Sequence, residues 1–245
     1  MKKNQDTEIL IFAYNRPSHL KRLIISLEDY GINKATLFLD GPKNIKDKVC
    51  QEEIIFMLKT NKLIKFNIFR KRKNLGLAES LQQGIDKISK KYKKLIILED
   101  DCIPRKEFFP FMYKAFDAYQ NKKNISAICG YQLPNLHQKK NKNIESILLN
   151  HFIPWGWGVW SEKWIKYRKN KKKFFTKEIL NRIKAPNIIK IEKLSNLKKV
   201  WTPRYVIHNY ILNNSYIFPS KSLVKNIGFD GSGINSKFTN KFNTY

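Results

Sequence analysis

Residues 95–101 read Leu95-Ile96-Ile97-Leu98-Glu99-Asp100-Asp101: four apolar residues run straight into three carboxylates. An unbroken apolar run with a polar stop is the pattern of a strand covered on both faces of a parallel sheet. The same texture recurs upstream. Ile9 to Ala13 (ILIFA) gives way to Asn15-Arg16-Pro17-Ser18, and Thr36-Leu37-Phe38-Leu39 ends at Asp40-Gly41-Pro42, a turn signal. Phe66 to Phe69 is a weaker run and Ile125 to Cys129 a later one. Between these runs, apolar residues return at helical spacing. The sets are Leu20, Leu23, Ile24 and Leu27 behind Pro17; Val49, Ile54, Ile55 and Leu58; Leu77, Leu81, Ile85 and Ile88; and Phe109, Met112, Tyr113 and Phe116. Strands alternating with helices predict an α/β fold: one compact domain with a mainly parallel sheet flanked by helices. Past residue 130 the alternation fades into Trp- and Pro-rich and basic segments. Residues 1–130 therefore read as one half and residues 131–245 as the other half of the same domain.

Composition narrows the class. Hydrophobic residues are 42% of the 245, ample for a core, which excludes a wholly disordered chain. No apolar run approaches the ~18–20 residues needed to cross a bilayer, and MKKNQDTEIL lacks the apolar stretch of a signal peptide. Cys50, Cys102 and Cys129 form neither a disulfide framework nor a CxxC pair, so a cytoplasmic setting is expected. The 48 Lys and Arg outnumber the 20 Asp and Glu, for a net charge of +28. Such a charge suits an anionic membrane face, a phosphorylated substrate or nucleic acid, or is simply a solvated, lysine-biased surface. The basic runs Lys71-Arg72-Lys73, Lys139-Lys140 and Lys169 to Lys173 carry no nucleic-acid-binding signature, and no nucleic-acid partner is expected.

In open α/β sheets, ligands bind outside the carboxyl ends of the strands. Asp40, Arg70 and Glu99-Asp100-Asp101 each follow a predicted strand, so all fall along one sheet edge. Adjacent carboxylates raise each other's pKa unless something neutralises them. Mn²⁺ or Mg²⁺ would do so, taking one or two carboxylates and completing its shell with phosphate and water; a solvated acidic turn is the alternative. Cys102 reads as a buried thiol rather than a soft ligand. Asn74-Leu75-Gly76 opens a helix, where phosphate is favoured, and equally reads as a plain helix-entry turn, as does Tyr14-Asn15-Arg16-Pro17. Asp40 by itself is either a ligand contact or a turn former. Trp155 and Trp157, in a Pro-Gly segment, either offer flat aromatic faces to a ligand or pack in the core. Trp160 and Trp164 read as core, and the spacing of 157, 160 and 164 is helical.

The ordered set ILIFAYNRP, LFLDGP, RKRKNLGLAES, LIILEDD, PWGWGVW and LVKNIGFDGSG spans roughly residues 7–235. It resembles the GT-A (Rossmann-like) glycosyltransferases, in particular bacterial family-2-like sugar transferases of surface-polysaccharide clusters, related to the N-acetylglucosaminyltransferase I type. The resemblance implies a nucleotide-sugar donor, a UDP-sugar, and a divalent metal. It also implies a glycan or lipid-linked acceptor and inversion at the transferred carbon. Ala13, Tyr14 and Arg16 would line the nucleotide pocket, Asp40 would bond the base, and Asn74 and Gly76 would flank ribose and diphosphate. Glu99 and Asp100 would contact ribose or donor sugar, Asp101 would bind the metal, and Arg70 with Lys73 would assist at the phosphates. Trp155, Gly156 and Trp157 would wall the place where the sugars meet. The positive surface would hold the protein peripherally at the inner membrane face.

Two positions depart from the pattern the resemblance implies. Thr202 stands where an acidic base is expected, and Asn235 where a His would approach the metal. An inverting transferase needs a general base. Asp230 in the Gly-rich C-terminal loop is ranked first and Glu162 second, with His151 and His208 as further options. A nucleotidyltransferase of similar fold is a competing reading, opposed by the absence of glycine in YNRPSH. A non-catalytic polyanion or nucleic-acid binder would account for the charge but not for the carboxylate triplet.

Overall fold

A computed structural model describes residues 6–133, 145–170, 201–232 and 238–242. Asn235, Lys139-Lys140 and Lys171 to Lys173 lie outside the described residues. The first half runs β1 (Thr7–Ala13), α1 (Pro17–Asp29), β2 (Lys34–Leu39), α2 (Ile45–Thr60), β3 (Lys65–Arg70), α3 (Leu77–Ile88) and β4 (Lys94–Glu99), as the alternating texture predicts. It continues with β5 (Cys102–Pro104), α4 (Phe108–Tyr119) and β6 (Ile125–Cys129). Then come β7 (Ser146–Leu149), β8 (Trp157–Trp160), α5 (Ser161–Asn170), α6 (Thr202–Ile211), β9 (Ser215–Pro219) and β10 (Val224–Asn226).

Eight strands form one sheet in the order β3-β2-β1-β4-β8-β6-β9-β7. Pairing is parallel between β1 and β2, β1 and β4, β2 and β3, and β6 and β9. β8 runs antiparallel between β4 and β6, and β7 antiparallel along β9. The sheet therefore crosses residue 130, and the second half is woven into the first.

Period-two alternation divides the core into two layers. Ile9, Ile11 and Ala13 of β1 face the α1, α2 and α4 side, packing with Leu23, Leu27, Ile54, Leu58 and Phe116. Leu10 and Phe12 face the other side, with Leu81, Ile85, Ile97, Trp157, Trp164 and Tyr205. Both faces of β1 and β4 are covered, which is why their sequences read as unbroken apolar runs.

Two sequence expectations are corrected. Trp157 and Trp160 lie on strand β8 rather than on one helix with Trp164; the run Trp-Gly-Val-Trp is apolar throughout because β8 is buried along its whole length. Val49, counted on the buried face of α2, is 65% exposed, and the core side of that helix is made by Asp47, Gln51, Ile54 and Leu58.

Candidate active site

The carboxyl ends of β3, β2, β1 and β4 lie side by side at one edge of the sheet. Each ladder extends one step past its strand: Asp100 N donates to Phe12 O (3.1 Å), Asp40 N to Ala13 O (3.1 Å) and Lys71 N to Leu39 O (2.9 Å). The three chain exits are thus pinned side by side, and the polar residues after them share a rim.

Two of those exits are stitched together by side chains. Asp40 is buried; its Oδ1 accepts from Gly41 N and Leu75 N, both 2.9 Å, and its Oδ2 from Gly76 N at 2.8 Å. Asn74 Nδ2 returns a bond to Gly41 O at 2.8 Å. Gly41 is required here, because a Cβ would come within 2.3 Å of the Lys73 carbonyl carbon. Asp40 therefore folds the loop before α3 against the loop before α2. Three backbone N–H groups account for the position of this carboxylate, which the resemblance assigns to the nucleobase. Gly76 caps α3 at φ +78°, a conformation that favours glycine. Arg70 is reassigned, since its Nη2 pairs with Glu52 Oε1 of α2 at 2.7 Å, on the outside of the edge strand β3.

The loop after β1 is held by a residue the sequence did not flag. Asp47, in the first turn of α2, accepts from the Tyr14 hydroxyl, from Asn15 Nδ2 (2.7 Å) and from Lys43 N (3.0 Å). Burial, then the bonded Asp47, pushes the Tyr14 phenol well above its ordinary value, so it stays a donor. The available signal was Asn44-x-x-Asp47 opening a helix, and Asn44 Oδ1 does cap Asp47 N at 2.9 Å.

Arg16 leaves this anchored loop and reaches the carboxylate triplet. Its Nη2 donates to Asp100 Oδ1 and to Asp101 Oδ2, the latter at 2.7 Å. Asp100 is almost fully covered and Asp101 is 13% exposed at its side chain. Burial, then the charges of Asp101 and Asp100, pushes Glu99 up from the usual carboxylate range. Asp100 is likewise raised, by burial first, with Arg16 opposing. Burial thus works against negative charge on Glu99 and Asp100, and Arg16 brings one cation to the triplet.

The C-terminal loop closes this site. β10 pairs antiparallel with β5, the strand that follows the triplet, and Ile227 N donates to Asp101 O at 2.9 Å. Gly228 then passes so close that a Cβ would lie 2.1 Å from Asp101 Oδ2. Two residues on, Asp230 Oδ2 stands 3.1 Å from His19 Nε2, while its Oδ1 accepts from Ser232 N and Oγ. The Ser232 bonds hold Asp230 below the usual carboxylate range, so it is ionised at neutral pH. His19, one turn beyond Arg16 on α1, was not anticipated. Asp230, ranked first as base, lies two residues beyond the glycine that packs against Asp101, beside His19.

A divalent cation can be tested against this donor set. The donors are hard carboxylate oxygens, and the glycine beside Asp101 leaves backbone rather than a side chain over it. Among the described residues no three His, Cys, Asp or Glu side chains converge on a metal position. The residues therefore fit a cation held by Asp101 and completed by phosphate and water, with Arg16 yielding Asp101 Oδ2; they do not fit a cation caged by protein alone.

Other expectations are corrected by position. Glu162 lies in the first turn of α5, and Ser161 N donates to Lys93 O at the amino end of β4, so Glu162 is at the sheet edge opposite the triplet. Trp157 has no exposed surface and stacks on Trp201 at 5.4 Å between ring centres, deep in the aromatic core. Gly156, at φ +64°, is buried, and a Cβ there would meet Val224 Cγ2 at 2.7 Å, so its lack of a side chain lets the start of β8 pack against β10. Trp155 is half-buried, edge-on to Tyr131 (4.6 Å) and Phe229 (5.2 Å), and so adjoins the Gly228–Asp230 loop. Thr202 opens α6 behind the Trp157–Trp201 stack. His208 is buried against Tyr167, and His151 packs on Phe218.

Residues 8–197 match the family model described as Glycosyl transferase family 2. No curated protein matches the sequence. Among solved structures, S. aureus TarS 1–349 aligns with a TM-score of 0.54 at 11% identity, over 90% of this chain and 60% of that one. The mannosyltransferase PcManGT from Pyrobaculum calidifontis, in complex with GDP-Man and Mn²⁺, aligns with a TM-score of 0.47 at 9% identity, over 66% of this chain and 46% of that one. The chain thus spans about half the length of these two structures.

Proposed function

This chain belongs to glycosyl transferase family 2, and from that premise we propose that it moves a sugar from a nucleotide-sugar, a UDP-sugar, to a glycan or lipid-linked acceptor with inversion. The observation that carries the reading is the triplet Glu99–Asp101 at the end of β4, with Asp100 buried, Asp100 and Asp101 clamped by Arg16, and Gly228 lying against Asp101. The finer kinship with the N-acetylglucosaminyltransferase I type rests on the motifs alone.

In this reading the backbone of Ala13 to Arg16 and the stitched loop Asn74–Gly76 form the walls of a nucleotide pocket. Asp40 and Asp47 keep those walls rigid, so little ordering entropy remains to be lost when a donor binds. Asp101 would hold Mn²⁺ or Mg²⁺, which supplies positive charge for the departing diphosphate. Arg16, released from Asp101 but retained by Asp100, adds a directional donor beside the same phosphates. Asp230, ionised and aimed by Ser232 and His19, takes the proton of the acceptor hydroxyl during in-line attack. Trp155 gives the acceptor ring an aromatic face. Residues 1–130 serve the donor and residues 131–245 the acceptor. A lipid-linked acceptor would place the protein peripherally at the inner membrane face, and no helix among the described residues is long and apolar enough to cross a membrane.

The test is release of UDP, GDP, CMP and dTDP from their sugars, with and without Mn²⁺, in the presence of a lipid-linked acceptor extract. UDP release that requires Mn²⁺ supports the reading. Release of none of the four overturns it.

A further inference from the structure

Helix α2 shows an apolar face to solvent. Ile45 is 80% exposed, Val49 65% and Phe56 70%, and Leu63, just past the helix, 66%. Of the five described large apolar side chains more than 60% exposed, these are four; the fifth, Phe238, is remote in sequence. Ile45, Val49 and Phe56 form a stripe, because at about 100° per residue Phe56 comes within about 20° of Ile45 after three turns, and Val49 lies about 40° away. The opposite side of the helix is the buried one: Asp47, Gln51, Ile54 and Leu58. The outward stripe is thus additional to the core face and has no partner among the described residues.

Charge identifies what would cover it. Lys46, Lys48 and Lys59 of α2, and Lys43 and Lys62 just beyond its two ends, are all exposed. Of the exposed acids there, Glu52 is already neutralised by Arg70 at 2.7 Å, which leaves Glu53. A second copy of a chain carrying +28 would bring lysines against lysines. An anionic lipid surface satisfies both features: apolar side chains enter the acyl boundary while lysines meet headgroups. We propose that the outer face of α2, centred on Ile45, Val49 and Phe56, docks the protein on an anionic lipid surface. Its amino end lies at the active-site rim, since Asp40 and Ile45 are separated by only four residues, so docking presents the rim toward the lipid. Only that last consequence rests on the glycosyl-transfer reading; lipid binding does not require it.

The full chain is sedimented with vesicles of phosphatidylcholine alone and of phosphatidylcholine mixed with phosphatidylglycerol, without any donor. Binding is expected to the mixed vesicles and not to the neutral ones. Ile45→Gln, Val49→Gln and Phe56→Gln combined should weaken it about a hundredfold. Lys46→Gln, Lys48→Gln and Lys59→Gln combined, which leave the stripe intact, should weaken it about tenfold or more and flatten its salt dependence. Melting temperature and UDP release with a soluble acceptor should be unchanged in both. Wild-type binding by either triple variant overturns the proposal. So does a wild type that ignores both vesicles, or one that sediments as a dimer which only the apolar variant dissociates. Vesicle binding without UDP release would retain the docking face while removing the proposed transfer.

Discussion

Arg16 Nη2 lies 2.7 Å from Asp101 Oδ2, although 85 residues separate them along the chain. The same nitrogen also holds Asp100, so one guanidinium offsets two carboxylates at the end of a buried strand. Arg16→Met should cost about 3–5 kcal/mol of stability near neutral pH, because the buried Asp100 loses the cation that offsets its burial. Asp100→Asn in that background should restore most of the loss. Urea melts of the three proteins decide it: an unchanged midpoint in Arg16→Met would show that the clamp contributes nothing.

Gly228→Ala tests how tightly the C-terminal loop covers Asp101. The added methyl would fall 2.1 Å from Oδ2, so either the loop or the carboxylate must shift. UDP affinity in the presence of Mn²⁺ should drop about tenfold or more, in step with Asp101→Ala. Asp101→Ala should keep its melting temperature, because Arg16 retains Asp100. Calorimetric titration reads both, and equal affinity in wild type and Asp101→Ala would remove Asp101 from the site.

Asp230→Asn should lower kcat by about 10²–10⁴-fold and leave donor affinity near the wild-type value. Glu162→Gln should alter neither, being on the far edge of the sheet. Steady-state kinetics on the pair therefore separates the two candidates for the base, and unchanged turnover in Asp230→Asn would end its candidacy.

Stability should depend on pH through His208. Burial, then Lys166, depresses its imidazole from 6.5 to about 4. The unfolded chain then binds a proton that the folded one refuses, so stability is full above 6.5 and falls as pH drops toward about 4. His208→Gln should flatten that slope. Melting temperatures across this window measure it, and parallel slopes in the two proteins would count against His208.

Much of the fold was legible because β1, β2 and β4 are covered on both faces and advertise it as continuous apolar runs ending in polar residues. Asp101 stood out as a carboxylate at a strand end, Arg16 was marked by the motif resemblance, and Asp230 was one of the few acids left to serve as base. What stayed hidden depends on tertiary pairing. Nothing local says that Asp47 ties down Tyr14 and Asn15, that His19 faces Asp230, or that Asp40 spends its oxygens on the backbone of Leu75 and Gly76. The tryptophans misled by arithmetic, since a spacing of three suits a helix and equally fits the two ends of a four-residue strand. On α2, a helix apolar on two sides blurred its own period, and Val49 was assigned to the wrong one.

The short ribbon of β5 with β10 joins residues 102–104 to residues 224–226. On a ribosome, most of the sheet can assemble while Asp101 still lacks its cover. The glycine that covers Asp101 is encoded near the end of the sequence, so this side of the triplet can be closed only once synthesis has passed residue 228.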